Sequence, residues 1–367
     1  MQLDPGTREV LERFGFDLAR LTASAAALAR GDDLRAANYT RGVLEPLRPR
    51  ELLPLAASGG QMRSGLYDNG LKAIQKGWVG AVILAGGMAT RFGGVVKANQ
   101  VVAGGRSFLE CKLADLENVA RAAGAPIPVW IMTSFATDAA IREVAAARSS
   151  ELTPITCAPQ FVSLRLTPEG ELFRDAAGAL SPYAPGHGDL TFALLRAGAI
   201  AKFRGAGGRH LFVSNVDNLA ATLDPAVIGA HMFYGKPMTA EQVRKAPGDQ
   251  GGGPTRLDGK AQIVEGFRFP PSFDQSQIEV FNTNTFTVDA RAIDRDFPLP
   301  YYYVEKQVDG RPAVQFERLV GELSAHMPVQ FLEVERAERF LPVKDPEDLG
   351  ARRPALEALL KARQMIG

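Results

Sequence analysis

The chain is poor in the residue types that mark several classes of protein. Its 367 residues include only two cysteines, Cys111 and Cys157, and four histidines. Two cysteines can form neither a disulfide framework nor a zinc site of the usual cysteine spacing. The 42 basic residues nearly balance the 41 acidic ones, which leaves a net charge of +1. Because nucleic acid and anionic membranes attract proteins with excess positive charge, we expect neither as a partner.

Long apolar runs are also missing. No run approaches the roughly 20 residues that a membrane-spanning helix needs, and the start, Met1-Gln-Leu-Asp-Pro5, does not have the composition of a signal peptide. We therefore expect a cytoplasmic protein without membrane contact. Hydrophobic residues make up 46% of the chain, which supports a sizeable core. The length fits one large α/β domain with additions, or two domains.

Strands and helices alternate along the central part of the chain. The apolar patterns predict strands over 79–85, 128–132, 155–158 and 211–216, and helices over 7–30, 66–76, 108–123, 137–147, 188–202 and 352–365. Such alternation is typical of a Rossmann-like, mostly parallel mixed sheet flanked by helices. We predict a helical N-terminal segment over residues 1–77, a core over 78–349 and a C-terminal helix over 350–367. Strand-like segments at 262–264, 267–269 and 279–288 predict an antiparallel extension around 256–290.

One loop, from Ala81 to Lys97, combines a strand, a glycine pair and two cations. The apolar residues up to Ala85 predict a buried strand, and Gly86 and Gly87 allow a sharp turn with exposed backbone N–H groups. Arg91 and Lys97 follow and would add positive charge where phosphates would lie. The loop is neither a Walker A motif nor a G-x-G-x-x-G fingerprint. Taken alone, it fits an ordinary turn and a phosphate-binding loop equally well.

Four further segments carry polar residues that could serve a site. Asp217 follows a buried strand, where a carboxylate can bind Mg²⁺ or simply end the strand in a turn. His187 lies between two glycines, in either a ligand-binding loop or a common turn. The amides of Asn282 and Asn284 suit sugar hydroxyls or a cross-strand ladder. Lys344 follows a Pro-bearing apolar segment and, on its own, would be assigned to the surface.

The order of these motifs is more specific than any one of them. The sequence resembles the UTP–glucose-1-phosphate uridylyltransferase family, also called UDP-glucose pyrophosphorylase, over roughly residues 78–349. The matching segments follow in the family's order: Gly86-Gly-Met-Ala-Thr-Arg91, Thr133-Ser-Phe-Ala-Thr-Asp138, Pro185-Gly-His-Gly-Asp189, Ser214-Asn-Val-Asp-Asn-Leu219, Val280-Phe-Asn-Thr-Asn284 and Arg339-Phe-Leu-Pro-Val-Lys344. Because the chain ends about 20 residues after Lys344, we expect no C-terminal β-helix of the kind the eukaryotic enzymes carry.

The resemblance implies an activity and a role for each matched position. The enzymes of this family form a UDP-sugar and pyrophosphate from UTP and a sugar 1-phosphate with Mg²⁺, so these two substrates are the expected partners, bound by a monomer or weak homo-oligomer. The implied uracil site is Ala85, Gly86, Gly87, Gln160 and Gly188. The implied catalytic residues are Arg91, Lys97, His187 and Lys344, with Asp217 on the metal. The implied sugar site is Asn215, Gly252, Asn282, Asn284 and Glu317.

Several departures from the family pattern leave alternatives open. Ala89 and Val96 replace a usual glycine and proline, and the loop before Lys97 is one residue shorter, which leaves the role of Lys97 open. Gln250 stands where a lysine is common, which leaves the sugar open. Besides glucose 1-phosphate, the alternatives are a UDP-N-acetylhexosamine pyrophosphorylase and a catalytically weak nucleotide-sugar binding protein.

Overall fold

A computed structural model describes residues 4–89, 95–249 and 251–366. Its α-helices are, in chain order, α1 (Pro5–Phe14), α2 (Leu18–Ala29), α3 (Leu34–Ala37), α4 (Gln61–Gln75), α5 (Phe108–Ala123), α6 (Asp138–Arg148), α7 (Leu190–Arg196), α8 (Ala199–Gly205), α9 (Pro225–Tyr234), α10 (Arg336–Arg339) and α11 (Pro346–Ala362). Among these described residues, none of the helices combines the length and the apolar character that crossing a membrane requires.

The strands of the same ranges are β1 (Leu44–Glu45), β2 (Leu52–Pro54), β3 (Val79–Leu84), β4 (Met88–Ala89), β5 (Val95–Val96), β6 (Val101–Ala103), β7 (Arg106–Ser107), β8 (Val129–Thr133), β9 (Ile155–Pro159), β10 (Ser163–Leu164), β11 (Pro182–Tyr183), β12 (His210–Asn215), β13 (Met238–Arg244), β14 (Gly253–Leu257), β15 (Lys260–Val264), β16 (Val280–Asp289), β17 (Tyr302–Val308), β18 (Arg311–Glu317) and β19 (Val329–Glu333).

An eight-stranded sheet in the order β2-β19-β13-β16-β12-β3-β8-β9 forms the centre of the molecule. All its neighbours pair in parallel except β16, which runs antiparallel between β13 and β12. Successive residues of β3 face opposite sides, so that Ala81 and Ile83 join one core cluster while Val82 and Leu84 join the other. Helices cover both faces, and the predicted α/β fold class with a mostly parallel mixed sheet and a helical N-terminus is confirmed.

Glycines explain where two predicted helices are interrupted. The helix predicted over 7–30 is two helices, because Gly15 adopts φ 86°, which a helix cannot continue through. The helix predicted over 188–202 breaks in the same way at Gly198, with φ 65°. In contrast, the helix predicted over 108–123 has the predicted bounds. A capping box at Ser107 begins it, and Gly124 in the left-handed conformation ends it.

The segment 256–290 contributes strands to two different sheets. β14 and β15 pair with β1 in a three-stranded antiparallel sheet, while β16 lies inside the central sheet. The strand predicted at 267–269 is wrong, because Gly266–Arg268 forms a 3₁₀ turn. The division of the chain at residues 77 and 349 stays a prediction.

Candidate active site

A cleft opens at the carboxyl ends of the parallel strands β3, β8 and β12, which is where open α/β sheets bind ligands. Its empty volume is about 700 Å³. The residues that line it are Leu84, Gly86, Gly87, Lys97, Met132, Gln160, Ala184, Gly186, His187, Asn215, Val216 and Asp217. The structure thus brings together residues from three of the motifs that were separate in the sequence, together with Gln160.

The glycine loop after β3 packs directly on Gln160. A Cβ at Gly86 would lie 2.0 Å from the Gln160 amide nitrogen, so this approach requires glycine. Ala85 is buried, whereas Gly87 is exposed, and no described residue has a heavy atom within 4 Å of where its Cβ would lie. Gln160 is buried, and its side-chain oxygen accepts from Gly186 N–H at 3.1 Å. Gln160 therefore ties the glycine loop to the His187 loop.

The His187 loop is fixed by the backbone of Arg318 and its neighbours. Gly188 N–H donates to the Arg318 carbonyl at 2.9 Å, and a Cβ at Gly188 would lie 2.4 Å from Leu319 N. His187 Nδ1 accepts from Val320 N–H at 2.9 Å. Burial lowers the pKa of His187 to about 4, so the ring is neutral near pH 7. Because Nδ1 accepts, the ring proton lies on Nε2, which is left free to donate.

Lys97 and Asp217 form an ion pair within the cleft. Lys97 Nζ donates to Asp217 Oδ2 at 2.5 Å, and the side chains are 16% and 23% exposed. Lys97 therefore lies beside the carboxylate that the sequence singled out as a metal ligand. Among the described residues lining the cleft, Asp217 is the only acid. One carboxylate together with substrate phosphates fits the way proteins usually hold Mg²⁺.

A buried polar network holds the segment that carries Asp217 from below. Lys112 Nζ donates to Ser214 Oγ at 3.2 Å and to the Ala221 carbonyl at 2.5 Å, so one side-chain nitrogen joins both ends of the segment. Arg339 pairs with Glu241 through two hydrogen bonds, of 2.8 and 2.6 Å. Both Arg339 and Glu241 are almost fully buried. These contacts fix the backbone around Asp217.

Asn284 of β16 lies beside Asn215, and Asn282 of the same strand contacts Asn284. Asn284 Nδ2 donates to Asn215 Oδ1 at 2.9 Å, and Asn284 adopts φ 57°, which is uncommon for a non-glycine residue in a strand. Asn282 is buried, and its N–H donates to the Gly252 carbonyl at 3.0 Å. The side-chain oxygens of Asn284 and Gln242 are buried and have no hydrogen-bond partner among the residues that the structure describes. Such oxygens are available to ligand hydroxyls.

Glu265 is a residue of this region that the sequence reasoning missed. Gly252 packs directly on it, because a Cβ at Gly252 would lie 2.6 Å from Glu265 Cα. Burial, together with the nearby carboxylate of Glu322, raises the pKa of Glu265 to about 7. A carboxyl group with such a pKa can accept or donate a hydrogen bond near neutral pH. Its place directly after the predicted strand 262–264 could have indicated it.

Glu317 and Lys344 are also absent from the lining of this cleft. Glu317 lines a second cleft with Met88, Ala136 and Arg165, where it accepts from Gln315 Nε2 at 2.7 Å. The exposed Lys344 follows Val343, whose N–H donates to the Asp217 carbonyl at 3.1 Å. Lys344 is thus next to the segment that carries Asp217, while Glu317 is on the other side of the glycine loop.

Arg91 and Gln250 lie outside the described residues, so their predicted roles stay predictions. Lys112, in contrast, is described and was missed. A lysine in a predicted helix is usually exposed, but Lys112 lies four residues after Phe108 and four before Leu116, on the apolar face of α5. That helical spacing is the sequence feature that could have revealed it.

Comparisons with known proteins agree on one family. A relative from Hordeum vulgare, a UTP–glucose-1-phosphate uridylyltransferase, is 27% identical over 287 residues, which covers 72% of this chain and 59% of the relative. Six such curated relatives are matched over 36% to 65% of their own lengths.

Solved structures share the fold. A UDP-glucose phosphorylase from Trypanosoma brucei has a TM-score of 0.73 at 22% identity, covering 95% of this chain and 79% of that one. A uridine diphosphate N-acetylglucosamine pyrophosphorylase from the same organism has a TM-score of 0.72 at 17% identity, covering 89% and 75%. The family model described as UTP–glucose-1-phosphate uridylyltransferase matches residues 68–361. The chain therefore belongs to the UTP–glucose-1-phosphate uridylyltransferase family.

Proposed function

We propose that the protein transfers a uridylyl group from UTP to a sugar 1-phosphate, with glucose 1-phosphate as the sugar substrate. A phosphate oxygen of the sugar 1-phosphate attacks the α-phosphorus of UTP in line, the bond to the β-phosphate breaks, and pyrophosphate leaves. The observation that carries the proposal is the cleft in which the glycine loop, His187 and the Lys97–Asp217 pair meet. Without a covalent nucleophile, catalysis rests on positioning and on neutralising charge.

The glycine loop and the Gln160 amide are suited to the uracil. Gly87 adds no side chain to the space beside the loop, Gly86 and Gly188 let their loops pack closely on Gln160 and Leu319, and Gln160 offers an amide nitrogen beside Gly86. Because the Gln160 oxygen already accepts from Gly186 N–H, its NH₂ group is held in a fixed direction. This supports a base-reading role for these residues.

The cations of the cleft are suited to the phosphates. Lys97 supplies an ammonium, and neutral His187 supplies an Nε2–H donor whose direction is fixed by Val320 N–H on the other nitrogen. Asp217 would hold Mg²⁺, which when bound neutralises phosphate charge and orients the phosphates. The exposed Lys344, beside the Asp217 backbone, would extend toward the same phosphates. Arg91 is proposed for this group from the family pattern alone.

The amides beyond Asn215 are suited to the hexose. Asn282, Asn284 and Gly252 form one hydrogen-bonded group, and Glu265 adds a carboxyl group to it. Sugar hydroxyls both donate and accept, which matches amides and a carboxyl group whose pKa is about 7. Glu317 lies in the second cleft, so we propose it for the sugar site only on the strength of the family pattern.

The deciding experiment measures pyrophosphate release from UTP and Mg²⁺ with a panel of sugar 1-phosphates. Turnover highest with glucose 1-phosphate supports the proposal. Turnover highest with N-acetylglucosamine 1-phosphate would favour the N-acetylhexosamine alternative. UTP binding without turnover on any sugar would favour a binding protein.

Two variants test the assignment of the site. Asp217→Ala and Lys344→Ala should abolish turnover while thermal unfolding stays cooperative, because both side chains are at least partly exposed. Lys361→Ala, an exposed lysine of α11, is the matched control and should retain turnover. Rates near wild type in both test variants would contradict the assignment. A cytoplasmic location and a monomeric or weakly oligomeric state stay predictions.

A further inference from the structure

Two of the four histidines contact one aspartate at the end of the sheet opposite the cleft. His210 begins β12, His231 lies in the last turn of α9, and Asp289 ends β16. His210 Nδ1 lies 2.8 Å and His231 Nε2 lies 3.1 Å from the same oxygen, Asp289 Oδ1. The proposed reaction uses none of these residues, and β12 alone separates His210 from Asn215 by about 17 Å.

The three side chains have the spacing of a single coordination sphere. One ligand atom from each lies within 4.8 Å of the others. Two ligand atoms bound at about 2.0 Å to a tetrahedral zinc ion lie about 3.3 Å apart. The two nitrogen–oxygen distances, 2.8 and 3.1 Å, are close to that separation. Only a small outward movement of the three atoms would make room for an ion between them.

The surroundings supply the other features that a metal site needs. His231 is 1% exposed, and its second nitrogen, Nδ1, lies 2.9 Å from Thr239 Oγ1. That contact fixes the ring and keeps Nε2 directed at Asp289, as partners of metal-bound histidines usually do. The side chains of His210 and Asp289 are 13% and 37% exposed, which gives an ion a path from solvent.

From this geometry we propose that His210, His231 and Asp289 form a binding site for a zinc-class divalent cation. Two imidazoles and one carboxylate suit zinc and its transition-metal neighbours, whereas Mg²⁺ prefers oxygen ligands alone. The three protein ligands leave a fourth position to water. The ion would join the start of β12, the end of α9 and the end of β16, so its expected effect is on stability. The proposal does not depend on the uridylyltransferase activity.

The test is equilibrium dialysis of the purified full chain, stripped with a chelator, against Zn²⁺. Wild type should bind one equivalent, and His210→Gln and Asp289→Asn should weaken the affinity by more than the roughly 10–100-fold that loss of an outer-shell partner costs. His326→Gln, which removes an exposed histidine elsewhere, should keep the wild-type affinity. The unfolding midpoint of wild type should rise with Zn²⁺ concentration, because an ion bound only to the folded state stabilises it.

Other outcomes would overturn the proposal. Equal Zn²⁺ binding by wild type and both variants would place the ion elsewhere, and loss of binding only in Asp217→Ala would place it in the cleft. No binding by folded wild type would leave the cluster as a hydrogen-bonded triad only. If the variants do not fold, the absorption of Co²⁺ bound to wild type decides. Tetrahedral bands with one equivalent support the site, and their absence contradicts it.

Discussion

The segment that carries Asp217 has charged groups on two sides, and the two sides differ. Toward the cleft, Lys97 and Asp217 form a partly exposed pair. Beneath the segment, Arg339 and Glu241 form a pair that is 2% and 1% exposed, beside the buried Lys112. The partly exposed pair, Lys97 and Asp217, can exchange partners with a ligand at little cost in free energy. The buried pair cannot, because each charge left unpaired in the interior would be expensive. The inner side therefore sets the geometry that the outer side uses.

The largest effect is expected from breaking the inner pair. Arg339→Met leaves Glu241 buried without its partner, and we expect the free energy of unfolding to fall by about 3–5 kcal/mol. Urea denaturation followed by circular dichroism measures it. The double variant with Glu241→Met should recover most of the loss, because two apolar side chains replace two buried charges. A single variant within about 1 kcal/mol of wild type would contradict the importance of this pair.

Breaking the outer pair should separate activity from stability. Lys97→Met removes one cation from the proposed phosphate site, and we expect turnover in the pyrophosphate assay to fall by about 10²–10³-fold. The free energy of unfolding should change by less than about 1 kcal/mol. Lys72→Met, on the exposed face of α4, is the matched control and should change neither quantity. If Lys97→Met lost stability as Arg339→Met does, the contrast between the two sides would fail.

Lys112 should make stability depend on pH. Burial lowers its pKa from 10.5 to about 7, so between those values the unfolded chain binds the proton and the folded chain does not. Stability should therefore rise with pH across this window, by up to about 1.4 kcal/mol per pH unit from this group. Urea denaturation between pH 7 and 10 measures the slope.

The difference between wild type and Lys112→Met isolates this group from others that titrate in the same range. The variant should show a shallower rise, whereas Lys72→Met should keep the wild-type slope. Equal slopes in wild type and Lys112→Met would mean that Lys112 keeps an ordinary pKa in the fold.

The residues on the cleft side of the Asp217 segment could be singled out from the sequence, whereas most of the buried residues beneath it could not. Asp217 follows a strand pattern, and His187 and Gly86 lie in short motifs, so local sequence indicates them. Lys112 contacts Ser214 and Ala221, more than 100 residues away. No local pattern states that such residues meet. The family pattern placed Arg339 in a motif but gave it no role.

The fold followed the same rule. Parallel strands were predictable because each is a short apolar run followed by a helix pattern. The position of β16 between β13 and β12 was not, because strand order depends on pairing between distant segments. The breaks at Gly15 and Gly198 depend on positive φ values that a glycine allows but does not require.

The smallest effects on stability are expected from substituting two glycines of the predicted uracil site, Gly188 and Gly87. A Cβ at Gly188 would lie 2.4 Å from Leu319 N and 2.5 Å from Arg318 C, so backbone must move. We expect Gly188→Ala to cost about 1–3 kcal/mol of unfolding free energy. Among the described residues, no atom lies within 4 Å of a Cβ at Gly87, and Gly87→Ala should cost less than about 0.5 kcal/mol.

The same pair also tests where the nucleotide binds. If uracil lies against Gly87, the added methyl group occupies ligand space, and Gly87→Ala should raise KM for UTP several-fold although the fold is unchanged. The control is Gly65→Ala in α4, which adds a methyl group to open space in a helix. Gly59→Ala would not serve, because Gly59 has a positive φ. An unchanged KM for UTP in Gly87→Ala would mean that the uracil does not lie against this loop. A loss of stability in Gly87→Ala but not in Gly188→Ala would contradict the expected packing of the two glycines.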